Sequence, residues 1–383
     1  MALGLGVLCG CGGGSSAKIL YVLGLGSSSV SILQVTGSGA LSASGELVET
    51  GAAPDAMGID PLGRFAYIVD SGCASLIRSA CVGILPGAVS QYVVSASTGN
   101  LTVATFSSTT GTPQSQPVTT GVNPSAIAID STGTFVFVAN QGSNSISVFL
   151  IDSVGGTLSE VKQVQPPCTA NQQPACPLPA PGSPSALAIT GKTLFVAMTS
   201  AGAGSLATYT FDSTGTLKTP AAFTTPPGGN LVNPAAMVLD PSGKFLLVAD
   251  SVANTVAVFS VAGSGQLTPV GAPVNTGTTP VSLHVAPSGK FLFTANLGSN
   301  DVSAFSLDSS TGALMPLSDT PVTPGASPSY VTTDASGSFL FVANRDSGNI
   351  SAFTIDSSGA LKQVTGSPFA AGVFNPVALA SLN

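Results

Sequence analysis

The chain has 383 residues, including 45 Gly and 28 Pro, and only 7% of them are charged, against roughly 25% in ordinary soluble domains, which excludes a coiled coil or a charged helical bundle. A net charge of −7 and a pI of ≈ 4.4 remove the basic footprint that a phosphate backbone requires, so nucleic acid is not an expected partner. Mean hydropathy is +0.47, yet no apolar run reaches the ~18 residues that span a bilayer, and the regular recurrence of Val, Ile, Leu and Phe excludes disorder.

Residues 1–16 read as a unit of their own. The apolar stretch MALGLGVL runs into Leu8-Cys9-Gly10-Cys11 and then Gly12-Gly13-Gly14-Ser15-Ser16. This resembles the tail of a bacterial lipoprotein signal, with Cys11 as the lipidated residue and the Gly/Ser run as a flexible tether. No Lys or Arg precedes the apolar run, which a start upstream of Met1 accounts for; the alternative is a fortuitous apolar N-terminus. The expected location is therefore the extracytoplasmic cell envelope, with the membrane reached only through the lipid anchor.

Residues 17–383 are expected to form one domain built from a repeat. A unit opening on Pro recurs at 54, 124, 184, 234, 280, 328 and 376. It is clearest at Pro124 (PSAIAIDSTGTFVFVANQGSNSISVFLIDSVGGTLSEV) and Pro280 (PVSLHVAPSGKFLFTANLGSNDVSAFSLDSSTGALMPL). Each unit holds four short β-branched and aromatic stretches separated by Gly, Asn, Asp and Pro, read as strands A to D. In the second copy these fall at 125–130, 134–140, 145–151 and 158–164. One such antiparallel sheet cannot bury both faces alone, and stacking sheets around an axis does so. After Pro376 only strand A remains, whereas residues 18–50 supply strands B, C and D. Joining the two ends gives six internal blades plus a shared seventh, an all-β seven-bladed β-propeller with four antiparallel strands per blade and no open edge between first and last. A β-sandwich or a solenoid is the competing architecture.

The segments Asp240-Pro-Ser-Gly-Lys-Phe-Leu-Leu-Val-Ala-Asp250 and Pro287-Ser-Gly-Lys-Phe-Leu-Phe-Thr-Ala-Asn296 resemble the YVTN-type repeat and the seven-bladed propellers of the lactonase (6-phosphogluconolactonase-like) family. The resemblance spans about residues 18 to 383. It implies hydrolysis of sugar lactones by His, Arg and Glu side chains around the central channel. Where the family carries Pro-Arg-His in strand A, this chain has Pro280-Val-Ser282 and Pro328-Ser-Tyr330. Where it carries Asn-Glu after strand B, this chain has Asn140-Gln, Asn296-Leu and Asn344-Arg.

Candidate site residues follow from strand order, which puts the D–A and B–C loops on one face. Two insertions are expected there, between strands B and C of the first internal blade (71–89) and between strand D of the second and strand A of the third (165–183). Each holds two Cys eight apart, Cys73 with Cys81 and Cys168 with Cys176, and each pair reads as a loop-closing disulfide or, less well matched in spacing, as thiolate ligands. Long loops on a rigid scaffold favour binding, although tolerant loop positions also drift. Asp70, Asn140, Asp250, Asn296 and Asn344 close strand B and read as a ligand-facing polar ring or as turn-forming residues. His284 stands in a column otherwise made of small or aliphatic side chains, as a general base or as a neutral histidine satisfied across the blade gap. Arg78 and Arg345, two of only three arginines, fall in loops of this face and suit an anionic ligand.

No metal or cofactor is expected. The first expectation for function is an exported, lipid-anchored, monomeric binding module that contacts a glycan, a small molecule or an envelope protein. The alternative is a lactonase-type hydrolase working at the top of the channel with His284 and Arg345 or Arg78.

Overall fold

The second strand of each repeat is apolar on both sides, and that fixes the architecture. Phe65–Asp70, Phe135–Asn140, Phe245–Asp250 and Phe339–Asn344 are buried at every residue. A strand buried on both faces needs a sheet packed on each side of its own. The computed structural model describes residues 18–45, 47–72, 86–105, 117–161, 178–180, 182–218, 223–224, 231–318 and 320–382, and there it meets that need with seven antiparallel sheets arranged as a closed ring. Seven apolar clusters fill the gaps, each drawing its residues from two adjacent blades, so every sheet is shared by two cores. No blade can bury its strand B without both neighbours.

Ring closure is as the repeat arithmetic requires. Strand A of the seventh blade, Pro376–Leu382, pairs antiparallel with strand B, Ile19–Gly24, from Ile19 opposite Leu382 to Gly24 opposite Pro376. Lys18 Nζ adds an ion pair at 3.1 Å to Asp334 of the sixth blade.

The A–B turns show how local sequence sets strand entry. Asp60, Asp130, Asp240 and Asp334 are buried, and each Oδ1 accepts the backbone N–H of the Phe that starts strand B, at 2.6–2.9 Å. The turn needs a left-handed residue, supplied by glycine, as at Gly133 (φ 64°). In the C–D turn of the next blade a second glycine lies flat on the preceding Phe: a Cβ on Gly312 would stand 2.6 Å from the Phe245 ring.

The outer strand departs from expectation. In five blades it is two short pieces pairing with different parts of strand C; in the second blade Leu158–Glu160 meets Phe149–Ile151 and Leu178–Pro179 meets Ser145–Ile146. Leu178–Pro179, expected in the insertion between strand D and the next strand A, thus belong to the outer strand instead. An edge strand carries one ladder only, so it tolerates interruption and proline where a central strand does not. Cys11, Cys73, Cys81, Cys168, Cys176 and Arg78 all lie outside the described residues.

Candidate site at the channel mouth

The seven A strands bring their proline ends to one mouth, and there they enclose a cavity of about 420 Å³ that takes lining residues from all seven blades. Its wall is built from two register positions. The first is the residue after each repeat proline: Asp55, Ser125, Ser185, Ala235 and Ser329, with Val281 and Val377 completing the ring. Three of these serines tie their blade to the next, donating to the carbonyl of the following repeat proline: Ser125 to Pro184 at 3.2 Å, Ser329 to Pro376 at 2.7 Å, and Ser185 to Pro234. Ser282, one step further, accepts the N–H of Val331 on the neighbouring blade at 3.2 Å.

The second position is the residue after strand B. Its N–H donates to the carbonyl of the residue before the repeat proline, as in Gln141 to Asn123 (3.0 Å), Leu297 to Thr279 (2.9 Å) and Arg345 to Ser327 (2.9 Å). The acceptors sit in the left-handed region (φ 49°, 55° and 55°) without being glycine, a conformation held by these loop bonds. The arrangement places Gln141, Leu297 and Arg345 at the rim of the cavity, beside Asn233.

Charge in the cavity is sparse. Among the described lining residues, Asp55 of the first blade is the one carboxylate and Arg345 of the sixth the one cation. Arg345 Nε contacts Asp346 Oδ1 at 3.2 Å, and Ser327 Oγ donates to the other carboxylate oxygen. The Ser327 hydroxyl and then Arg345 hold the Asp346 carboxyl below its ordinary range. Tyr330 completes the polar set, its hydroxyl pushed up by burial. Below the rim the wall turns apolar at a single register, with Met57, Ile127, Leu187, Met237 and Leu283 from five successive blades.

Of the sequence-expected residues that are described, the structure brings Arg345 to this cavity and leaves His284 and the five strand-B residues outside its lining. His284 follows Leu283, beyond the lining; its Nε2 shares a hydrogen bond of 2.9 Å with Thr333 Oγ1 of the next blade, and burial pushes its pKa down to about 4. It is a neutral side chain spanning the blade gap, satisfied by the Thr333 hydroxyl. The five strand-B residues are buried in the wall instead of ringing the ligand space. The amides of Asn140, Asn296 and Asn344 donate to Ser147, Ser303 and Ser351, all at 2.9 Å, while Asp250 accepts the backbone N–H groups of Val232, Asn233, Val252 and Ala253. Asp70 accepts Ser90 Oγ at 2.5 Å, yet its Oδ1 is buried without a partner, and burial pushes its pKa up to about 7. Asp55, the serine ring and Tyr330 escape the sequence reading; the signal was the column immediately after the repeat proline, where Asp55 is the only charged member.

A seven-bladed propeller whose innermost strands close on one polar-rimmed cavity defines the class of protein. The family model described as Lactonase, 7-bladed beta-propeller matches residues 16–168, 220–331 and 316–372, and the chain belongs to that family. Among solved structures it is similar to a periplasmic gluconolactonase, PpgL, from Pseudomonas aeruginosa (20% identity, 96% of this chain and 99% of that one, TM-score 0.75). It is also similar to a proposed 6-phosphogluconolactonase from Bacteroides fragilis (19% identity, 97% and 99% covered, TM-score 0.74). At these identities the likeness is one of fold. No curated protein sequence matches the chain.

Proposed function

We propose that the protein is a lactone hydrolase whose site is the channel-mouth cavity. The observation that carries this reading is the presence, among the described lining residues of one cavity in a lactonase-family propeller, of the Asp55 carboxylate and the Arg345 guanidinium on a wall of hydroxyls and amides. Ring opening of a cyclic ester needs a base to take a proton from water and a donor for the oxyanion. In this reading Asp55 accepts a proton as the water oxygen bonds to the lactone carbonyl carbon, and the negative charge on the carbonyl oxygen develops toward Arg345. As the carbonyl re-forms, the ring C–O bond breaks and the departing oxygen takes the proton back from Asp55, giving the hydroxy acid. The gluconolactonase and proposed 6-phosphogluconolactonase among its structural neighbours support the same substrate chemistry.

The test is ring opening of glucono-1,5-lactone and simple δ-lactones by purified protein, followed by acid release at constant pH. Catalysis above the spontaneous rate, lost in both Asp55→Asn and Arg345→Ala, is the expected result. No catalysis of any lactone by folded protein overturns it. That outcome favours the second reading, a binding module, which the lack of His and Glu among the described lining residues supports. Export on a lipid anchor at Cys11, with Cys73–Cys81 and Cys168–Cys176 as disulfides, belongs to the same proposal and is supported by the sequence pattern of residues 8–16 and by the cysteine spacing. Palmitate labelling that survives Cys11→Ser would rule the anchor out.

A further inference from the structure

Resting on the lipid anchor at Cys11, we infer that the face opposite the channel mouth lies on an anionic bilayer through Lys192, Lys244 and Lys290, and that the mouth opens away from the membrane. Topology carries the first step. Each strand A runs from its proline at the mouth to an A–B turn at the far end, so strand B begins at that end: Ile19 stands opposite Leu382, and Gly24 opposite Pro376. Lys18 marks the entry point, its Nζ reaching Asp334 in the A–B turn of the sixth blade at 3.1 Å. Seven steps of chain separate Cys11 from Lys18, and they span at most about 25 Å when fully extended. The way round the blade to the mouth is longer. It crosses strands C and D, about 10 Å at ~4.8 Å per strand, then climbs the six residues of strand B, a further ~20 Å, before any loop is counted. A lipid on Cys11 therefore reaches the far face and not the mouth.

Charge favours the same pose. Every described lysine lies at the far end, as does Arg64, whereas Arg345 is the one described cation at the mouth end. Lys192, Lys244 and Lys290 sit in the A–B turns of three successive blades and are exposed. Two of these turns contain no carboxylate, and in the third Asp240 is buried beneath the turn, where it accepts the Phe245 N–H. The other carboxylates of this sector stand further out, in C–D turns, as at Asp212 and Asp308, and the C–D turn between those two, at 262–266, is uncharged. The mouth end has the opposite balance, with Glu49, Asp301 and Asp346 against Arg345. An anionic headgroup layer attracts the lysine arc and repels that rim, and it acts within a Debye length, ~8 Å at physiological salt, which a short tether enforces.

The experiment takes the full chain made in a bacterial host, purified with its lipid and reconstituted into vesicles rich in phosphatidylglycerol. A donor dye is attached through an azido amino acid either at Leu62, in an A–B turn and 70% exposed, or at Val252, in a B–C turn at the mouth end and 59% exposed. Energy transfer to acceptor-labelled headgroups should be severalfold more efficient from position 62 than from position 252. That contrast should fall at least twofold on pure phosphatidylcholine vesicles, and equally in the triple variant Lys192→Gln, Lys244→Gln, Lys290→Gln, whose far-UV circular dichroism stays that of the parent. Equal transfer from both positions, or more from 252, overturns this inference while palmitate on Cys11 keeps the anchor standing. A contrast indifferent to lipid charge and to the three lysines overturns it as well. A chain that takes no palmitate at Cys11 overturns both.

Discussion

Asp70 offers a quantitative test of how this repeat tolerates a charge in its wall. In the second, fifth and sixth blades the same register position is Asn, whose amide reaches a strand-C serine and, at Asn140, whose Oδ1 accepts the Gly121 N–H at 3.1 Å. Asp70 faces the equivalent serine, Ser90, but has only acceptors to offer when ionised, and its Oδ1 is left orphaned. Burial pushes its pKa from 3.8 to about 7, outweighing the hydrogen bonds from Ser90 and Gly51. The folded pKa lies above the unfolded one, so folding takes up a proton between these values. The associated stability is complete below pH 4 and falls away as pH rises to 7. A shift of some three units corresponds to a loss on the order of 4 kcal/mol, since each unit is worth about 1.4 kcal/mol. Asp70→Asn removes the titration and restores the donor-to-serine arrangement of the other blades. Its stability advantage over the parent should grow from near zero at pH 4 toward that value at pH 8, a Tm difference of roughly 5 °C for a chain of this size. Urea unfolding followed by far-UV circular dichroism across this range measures it, the chain having no Trp. Subtracting parent from variant cancels the other carboxylates. A difference that stays flat from pH 4 to 8 refutes the reasoning.

Further expectations concern the site and the ring. Arg345→Lys should retain only a small part of any lactone turnover, because an ammonium cannot present the guanidinium's fork to both Asp346 and an oxyanion; kcat at saturating substrate checks this. His284→Gln should leave the pH profile of turnover unchanged, since His284 lies beyond the cavity lining, and lower stability by about 1 kcal/mol or somewhat more through the altered bond to Thr333. Tyr67→Phe frees the buried carbonyl of Gly156, 2.9 Å from the phenol oxygen, and should cost ~1–2 kcal/mol in denaturant unfolding. Gly312→Ala combines a left-handed backbone (φ 76°) with a Cβ driven onto Phe245, and should be destabilised by more than ~2 kcal/mol in the same assay.

The fold was legible because the repeat overdetermines it. The recurring Pro and the doubly apolar strand B appear in nearly every copy and the Asp-x-x-Gly turn in four, so a divergent copy is read by its neighbours. The closing pair, Ile19 with Leu382, followed from counting strands at the two ends. The outer strand was less legible because an edge is held by few contacts, and its sequence carries correspondingly little constraint. The site was legible only where chemistry and register coincided, at Arg345. The Asn and Asp residues ending strand B carry suggestive chemistry, but a side chain there points into the sheet stack and is consumed by the B–C turn. Asp55 looked like one carboxylate among many, and its meaning depends on seven strands converging, which no local pattern displays.

The pairing of Ile19–Gly24 with Pro376–Leu382 ties together segments some 360 positions apart. At about 5–20 residues per second, translation needs roughly 20–70 s to deliver the second after the first. Throughout that interval strand B of the seventh blade lacks its inner partner, and two apolar blade faces have nothing to lie against. The nascent molecule is therefore an open crescent, prone to join another crescent edge to edge, until Pro376–Leu382 emerges and locks the circle.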